Sequence, residues 1–324
     1  MNKKIKINFC GFWTSFKKND NLFFNILSKH FDVEISEHPD YVICSNRGEP
    51  FEYMKYDCVR IMFMGENMSP DFTVFDYVIG FDYITFGDRY FRLPFALYFD
   101  DGHPWTPEAI DYNKAVEILR QKKHFCNFIY GHQSSHDIRE SLFKRLNEYK
   151  TVVSPGRYLN NIGTRGCSRK EKHDYLTSSK FTIACDSINY PGFVTEKIVD
   201  PFHQNSIPIY FGSTRINEDF NEKAFVWCKN KDDIERVVDI VRELDNDDNA
   251  YIEMLMQPKL LYDNQINKLY SDLEDFLLNI FNGDVDSAGR RIKYYRADEY
   301  EKHLNKFRNI YSKTPKFIRK LFNY

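Results

Sequence analysis

The run Gly192-Phe193-Val194-Thr195-Glu196-Lys197-Ile198-Val199-Asp200 sets an acid beside a base at the opening of an apolar-striped helix. An apolar strand, Ser206-Ile207-Pro208-Ile209-Tyr210-Phe211, follows and ends in Gly212-Ser213. Backbone N–H groups at a helix start, together with the helix dipole, favour an anion. Lys197 placed there can meet a phosphate, and Glu196 can accept hydrogen bonds from a ribose. Such an arrangement suits a nucleotide sugar.

Two further turns carry usable groups. Gly65-Glu66-Asn67-Met68-Ser69-Pro70 directly follows the apolar run Ile61-Met62-Phe63-Met64. Loops at the carboxyl ends of strands line ligand crevices in α/β folds, so Glu66 is a candidate general base; alternatively Glu66 or Asn67 satisfies backbone donors within the turn. Val152-Val153-Ser154-Pro155-Gly156-Arg157 ends a strand in a turn that presents Arg157. Its planar fork suits a diphosphate, and a surface arginine is the competing reading. Asp284-Val285-Asp286 has the form of a metal-diphosphate tripeptide, but it sits in a Gly-flanked loop and reads as coincidence. The scattered histidines lack metal-ligand spacing. No Walker loop, dinucleotide fingerprint or H-E-x-x-H occurs. Because cations fixed at a helix start can balance a leaving diphosphate, no obligatory metal or cofactor is expected.

Strand-like and helix-like patterns alternate, which predicts parallel sheets covered by helices, an α/β protein. The first series comprises predicted strands at 4–9, 33–36, 41–45, 59–64 and 76–80, with a helix over 21–30. The second has predicted strands at 125–130, 151–153, 180–185 and 207–211. Its predicted helices cover 107–123, 134–149, 169–177, 232–244, 250–256 and 265–281. The Asp-, Gly-, Pro- and Trp-containing stretch 100–107 is the expected linker. This gives a domain over 1–110, a second over 111–301 and a tail over 302–324.

In that tail seven lysines and arginines are interleaved with Leu304, Phe307, Ile310, Tyr311, Phe317, Ile318, Leu321 and Phe322, and no acid follows Glu301. Such a segment can lie on an anionic membrane surface or dock as a helix on the protein's own surface. A net charge of −2 gives no reason to expect nucleic acid as a partner. The aromatic content of 17% suits either carbohydrate surfaces or large cores. Seven cysteines without a C-x-x-C pair, and an N-terminus lacking an apolar signal region, point to a reducing, cytoplasmic setting. Peripheral contact with the inner face of a bacterial membrane would be compatible with that.

Two long segments together carry a family resemblance. Gly65-Glu66-Asn67-x-Ser69-Pro70, Phe75-Asp76-Tyr77-x-Ile79-Gly80-Phe81-Asp82 and Asp88-Arg89-Tyr90-x-Arg92-x-Pro94 resemble the acceptor domain of bacterial α-1,3-fucosyltransferases, glycosyltransferase family 10. Val194-Thr195-Glu196-Lys197-Ile198-x-Asp200, with Ile207-Pro208-Ile209-Tyr210-x-Gly212-Ser213, resembles that family's donor motif. The resemblance implies a GT-B fold of two Rossmann-like domains facing across a cleft. It further implies inverting transfer from GDP-β-L-fucose to the GlcNAc of an N-acetyllactosamine-type oligosaccharide acceptor, with GDP-fucose a co-substrate rather than a cofactor.

By the same resemblance Glu66 takes the general-base position and Asn67 an acceptor position. Arg157, Glu196, Lys197, Asp186, Ser187 and Phe193 take donor positions. Cys185-Asp186-Ser187-Ile188 stands where the family has Phe-Glu-Asn-Ser, and Phe193 where a tyrosine is common. Pro201 implies a helix that starts late or kinks. The residues alone also admit another GDP-sugar, or a non-catalytic glycan-binding protein on a membrane.

Overall fold

The computed structural model describes residues 2–98, 105–133, 137–164, 166–315 and 318–319. Two compact units divide the chain. The first holds residues up to Leu93, Tyr98 and the chain from Asn267 onward; the second holds Pro94–Leu97 and Trp105–Ile266.

The first unit is built on a parallel six-stranded sheet of order β2-β1-β3-β4-β5-β6. Its strands are β1 (Lys4–Cys10), β2 (Asp32–Ile35), β3 (Tyr41–Ser45), β4 (Val59–Phe63), β5 (Tyr77–Gly80) and β6 (Tyr90–Arg92). Every residue of β3, β4 and β5 is buried, as expected where helices cover both faces of a parallel sheet. Helix α1 (Leu22–Ser28) buries Leu22, Phe23, Ile26 and Leu27, and the Asn21 side chain caps it by accepting from Phe24 N.

The second unit repeats the plan with order β11-β10-β9-β7-β8, all parallel. The strands are β7 (His124–Asn127), β8 (Val152–Val153), β9 (Ser179–Cys185), β10 (Ile207–Phe211) and β11 (Val226–Trp227). Its helices are α2 (Tyr112–Gln121), α3 (Ile138–Tyr149), α4 (Arg169–Ser178), α5 (Glu196–His203), α6 (Ile234–Asn246) and α7 (Asp248–Met256). Phe181, Ile183, Ile209 and Phe211 join Leu142 of α3, Val237, Val238 and Val241 of α6 and Tyr251 of α7 in one core. Each fully buried aliphatic side chain there contributes about 1.5–3 kcal/mol. Thr182, Ala184 and Asp186 alternate onto the opposite face. Pro208 sits inside β10, and β11 begins its pairing one residue later, opposite Ile209. The missing proline N–H therefore falls beyond the reach of β11.

In both sheets the first strand in sequence lies between the second and the third. The chain therefore reverses direction across the sheet at β1/β3 and again at β7/β9, and such switch points open a crevice at the strands' carboxyl ends.

Three expectations need correction or placement. Residues 267–301, expected in the second domain, pack with the first. Helix α8 (Gln265–Phe281) buries Leu273, Leu277, Ile280 and Phe281 at helical spacing. Phe281 lies 4.4 Å from the Tyr41 ring and Phe276 5.5 Å from Phe91. Beyond α9 (Val285–Ala288), a buried ionic clamp fixes the returning chain. Asp76 Oδ1 accepts from the backbone N–H groups of Arg290 (2.7 Å) and Arg291 (2.9 Å). Its Oδ2 accepts from Arg60 N (2.7 Å) and Arg291 Nε (2.8 Å). Glu301 then bridges Arg60 (3.1 Å) and Arg291 (2.9 Å). The expected linker at 100–107 lies largely outside the described residues, as do positions 134–136 of the expected helix over 134–149.

Asp284 is a helix cap: its Oδ1 accepts from Ser287 N at 2.8 Å, at the start of α9. Helix α10 (Arg296–Lys313) buries none of its residues. Tyr300 donates to Asp71 at 2.9 Å, and Arg319 pairs with Glu49 at 3.1 Å. Phe307 and Ile310 stay exposed, and Lys302 pairs with Asp298 along the helix. Phe317, Leu321 and Phe322 lie outside the described residues. No helix among the described residues is long and apolar enough to cross a membrane.

Candidate active site

The corner expected from the sequence to hold a nucleotide sugar forms at the switch point of the second sheet. Thr195 caps α5 with extended backbone and accepts from Lys197 N, so the first turn begins where the sequence placed it. Pro201 neither delays nor ends this helix. It is the sixth of eight residues, and the helix closes at His203. Lacking an N–H, Pro201 leaves Lys197 O without the bond that position 201 would otherwise donate.

Lys197 Nζ lies 3.3 Å from Thr195 Oγ1, 3.6 Å from Glu196 Oε1 and 3.9 Å from Asp186 Oδ1. Gly131, just beyond β7, lines a cavity of about 220 Å³ together with Glu196, Lys197, Lys172 and Asp200. A side chain grown on Gly131 would meet the Arg157 guanidinium at 3.7 Å. Arg157, exposed after β8, therefore borders the same edge as Lys197. Its turn is fixed by Gly156, where a Cβ would come within 2.4 Å of Tyr130 O, and by Tyr158 N donating to Tyr130 O at 3.0 Å. Lys172 of α4 pairs with Asp200 at 2.5 Å. Nothing in the local pattern of α4 marks Lys172 for this role.

Asp186 and Phe193, read from the sequence as donor contacts, are only 2% and 4% exposed. Both serve the packing of the turn rather than its surface. Asp186 accepts from the Thr195 hydroxyl and from the Tyr210 hydroxyl, the latter at 2.7 Å. Burial pushes its carboxyl up to about 6, against the pull of Lys197 and the two hydroxyl donors. Ser187 is exposed beside it.

Glu66 stands in the turn after β4, with its side chain about half exposed. The residues that hold it come from the end of β3 and were missed in the sequence. Asn46 Oδ1 accepts from Gly65 N (2.9 Å) and Glu66 N (3.0 Å). Arg47 Nη1 donates to Gly65 O at 3.0 Å and lies 3.3 Å from Glu66 Oε1. Asn67 is exposed. A signal was present, since Asn46-Arg47-Gly48 directly follows β3, the strand that pairs with β4.

A family model described as the alpha-(1,3)-fucosyltransferase FucT N-terminal domain matches residues 7–99. A second, described as glycosyltransferase family 10 (fucosyltransferase) C-term, matches residues 119–259. The chain belongs to glycosyltransferase family 10. This family 10 chain is 29% identical over 287 residues to the alpha-(1,3)-fucosyltransferase FucT of Helicobacter pylori, covering 78% of the chain and 57% of that relative. It thus spans little more than half of that curated relative. A solved alpha1,3-fucosyltransferase is 25% identical with a TM-score of 0.71, covering 91% of this chain and 93% of that one. Related structures with GDP and with GDP-fucose superpose at TM-scores of 0.68 and 0.64. The two parallel sheets are those of a GT-B α/β enzyme.

Proposed function

We propose that this chain is an inverting α-1,3-fucosyltransferase that moves L-fucose from GDP-β-L-fucose to the GlcNAc of N-acetyllactosamine-type acceptors, building Lewis-type glycans on surface polysaccharide. The observation that carries this reading is the switch-point corner of the second sheet, where the Lys197 ammonium and the Arg157 guanidinium border one edge beside the N-terminus of α5. As the acceptor hydroxyl attacks the anomeric carbon, Glu66 takes its proton. The bond to the β-phosphate oxygen breaks and its electron pair leaves with GDP. Lys197, Arg157 and the helix N-terminus balance the charge that develops, so no metal is required. Glu196 holds the ribose, and Asn67 meets the acceptor.

The decisive experiment incubates the full chain with GDP-fucose and N-acetyllactosamine and determines the linkage of the product. An α-1,3-fucosylated GlcNAc is expected. Failure to transfer fucose, with turnover of GDP-mannose instead, would replace the donor. That second reading draws on Ser187 and Phe193, which stand where the family pattern has an amide and a phenol. The exposed Phe307 and Ile310 among the basic residues of α10 support peripheral binding to an anionic membrane, in keeping with a cytoplasmic enzyme. Co-sedimentation with phosphatidylglycerol vesicles, absent for a chain lacking 302–324, is the matching test.

A further inference from the structure

Asp186 lies at the centre of the donor corner but reaches no solvent: its side chain is 0% exposed. Two elements converge on it. From α5, the Thr195 hydroxyl donates to Oδ1. With its proton committed there, the lone pairs of that hydroxyl accept from Lys197 N at 3.4 Å and Lys197 Nζ at 3.3 Å. From β10, the Tyr210 hydroxyl donates to Oδ2 at 2.7 Å and accepts from Ser213 N at 2.9 Å. Gly212 is required for this closeness, because a Cβ there would fall 2.4 Å from the Tyr210 hydroxyl and 2.7 Å from Asp186 Oδ2.

We propose that Asp186 is a positioning residue for donor binding: its ionised carboxylate orients the Thr195 hydroxyl, and through it holds the Lys197 ammonium where the diphosphate must lie. The inference rests on the donor reading given above and adds a pH dependence to it. The groups facing Asp186 are Lys197 and Glu196 from α5, Tyr210 from β10 and Cys185 on its own strand. Behind Cys185 stands Tyr130, which donates to Ile183 O at 2.9 Å and lies beneath the Arg139 guanidinium of α3 at 4.0 Å. Burial pushes the carboxyl of Asp186 to about 6. Once protonated, it must donate to one of the two hydroxyls it now accepts from. A proton donated to Thr195 occupies the lone pair that Lys197 uses.

The probe is GDP-fucose, whose diphosphate diester keeps its charge between pH 5 and 8, with affinity measured by calorimetry on the full chain. For the unaltered protein, affinity should fall as the pH drops through about 6. Asp186→Asn keeps the shape but not the charge; it should bind about tenfold more weakly at pH 7.5, the size of one charge-assisted hydrogen bond, and lose the pH dependence. Thr195→Val should show the same two changes, so the test survives if Asp186→Asn fails to fold. Binding by Asp186→Asn as tight as or tighter than the parent's would overturn the proposal, because the carboxylate would then merely repel the ligand. An unchanged pH profile would overturn it as well. Lys197→Ala separates the two levels. If it weakens binding while Asp186→Asn does not, the inference fails and the donor reading stands. If Lys197→Ala also has no effect, the donor reading falls, and the inference with it.

Discussion

The clamp around Asp76 makes a quantitative demand. Its carboxylate accepts four N–H groups, three from the returning segment at Arg290 and Arg291 and one from Arg60. Both the Asp76 and Arg291 side chains are only 1% exposed. Asp76→Ala removes the acceptor and leaves the Arg291 charge with Glu301 and Cys58 O alone. Breaking a buried pair from one side costs about 3–5 kcal/mol, against a total stability of about 5–15 kcal/mol for an ordinary fold. Asp76→Asn should be nearly as damaging. Whichever way the amide turns, its NH2 faces two N–H donors. Hydrogen exchange should report the loss first over 285–313, and urea unfolding of the first unit should shift to lower concentration. A loss below about 1 kcal/mol in either variant would show that the clamp is dispensable and that α8 alone retains the returning chain.

Other consequences follow from the two turns. Glu66→Ala should lower turnover by about 10²–10⁴ while GDP affinity, measured by calorimetry, stays as it was; lost GDP binding would make Glu66 structural. Arg47→Ala should reduce kcat about two- to fivefold, because its partner is half exposed and such pairs are weak, and Arg47→Lys should restore part of it. Transfer should persist in EDTA; activity abolished by chelation and restored by manganese would refute the cation-only account of the leaving group. Asp186 binds its proton more tightly folded than unfolded, so its contribution to stability grows as the pH falls from above 6 toward 4. Asp186→Asn should erase that part of the pH–stability curve in thermal melts.

Much of this fold could be read along the chain because its central strands are buried on both faces. Continuous apolar runs such as Tyr41–Ser45 and Ile207–Phe211 announce themselves. So does α1, whose four buried positions match its apolar stripe. Short edge strands do not: Tyr90–Arg92 and Val226–Trp227 hold too few residues for alternation to register. The stripe on α8 showed that it buries a face but not which sheet would receive it, since Tyr41 and Phe91 lie far back in the chain. At the site, Glu66 was visible as a charge in the turn after an apolar strand and Lys197 as a charge at the opening of an apolar-striped helix. Lys172 was not, because it matters through a partner on a neighbouring element, and the signal at Asn46 and Arg47 acquires meaning only once β3 is known to pair with β4. Asp186 was visible as a residue, but its burial was not. Its depth depends on Tyr210 and Gly212, which arrive on the adjacent strand.

The route of the chain through its two units also sets an order of assembly. Synthesis completes the first six strands early, but the residues that seal them, from Leu273 to Glu301, emerge only after the whole second unit. Until then Tyr41 and Phe91 lack their aromatic cover, and the buried carboxylate of Asp76 lacks its arginine. A nascent chain halted near residue 265 would hold a finished second half beside an unsealed first half. Expression of the amino-terminal half by itself is thus the manipulation most prone to aggregate.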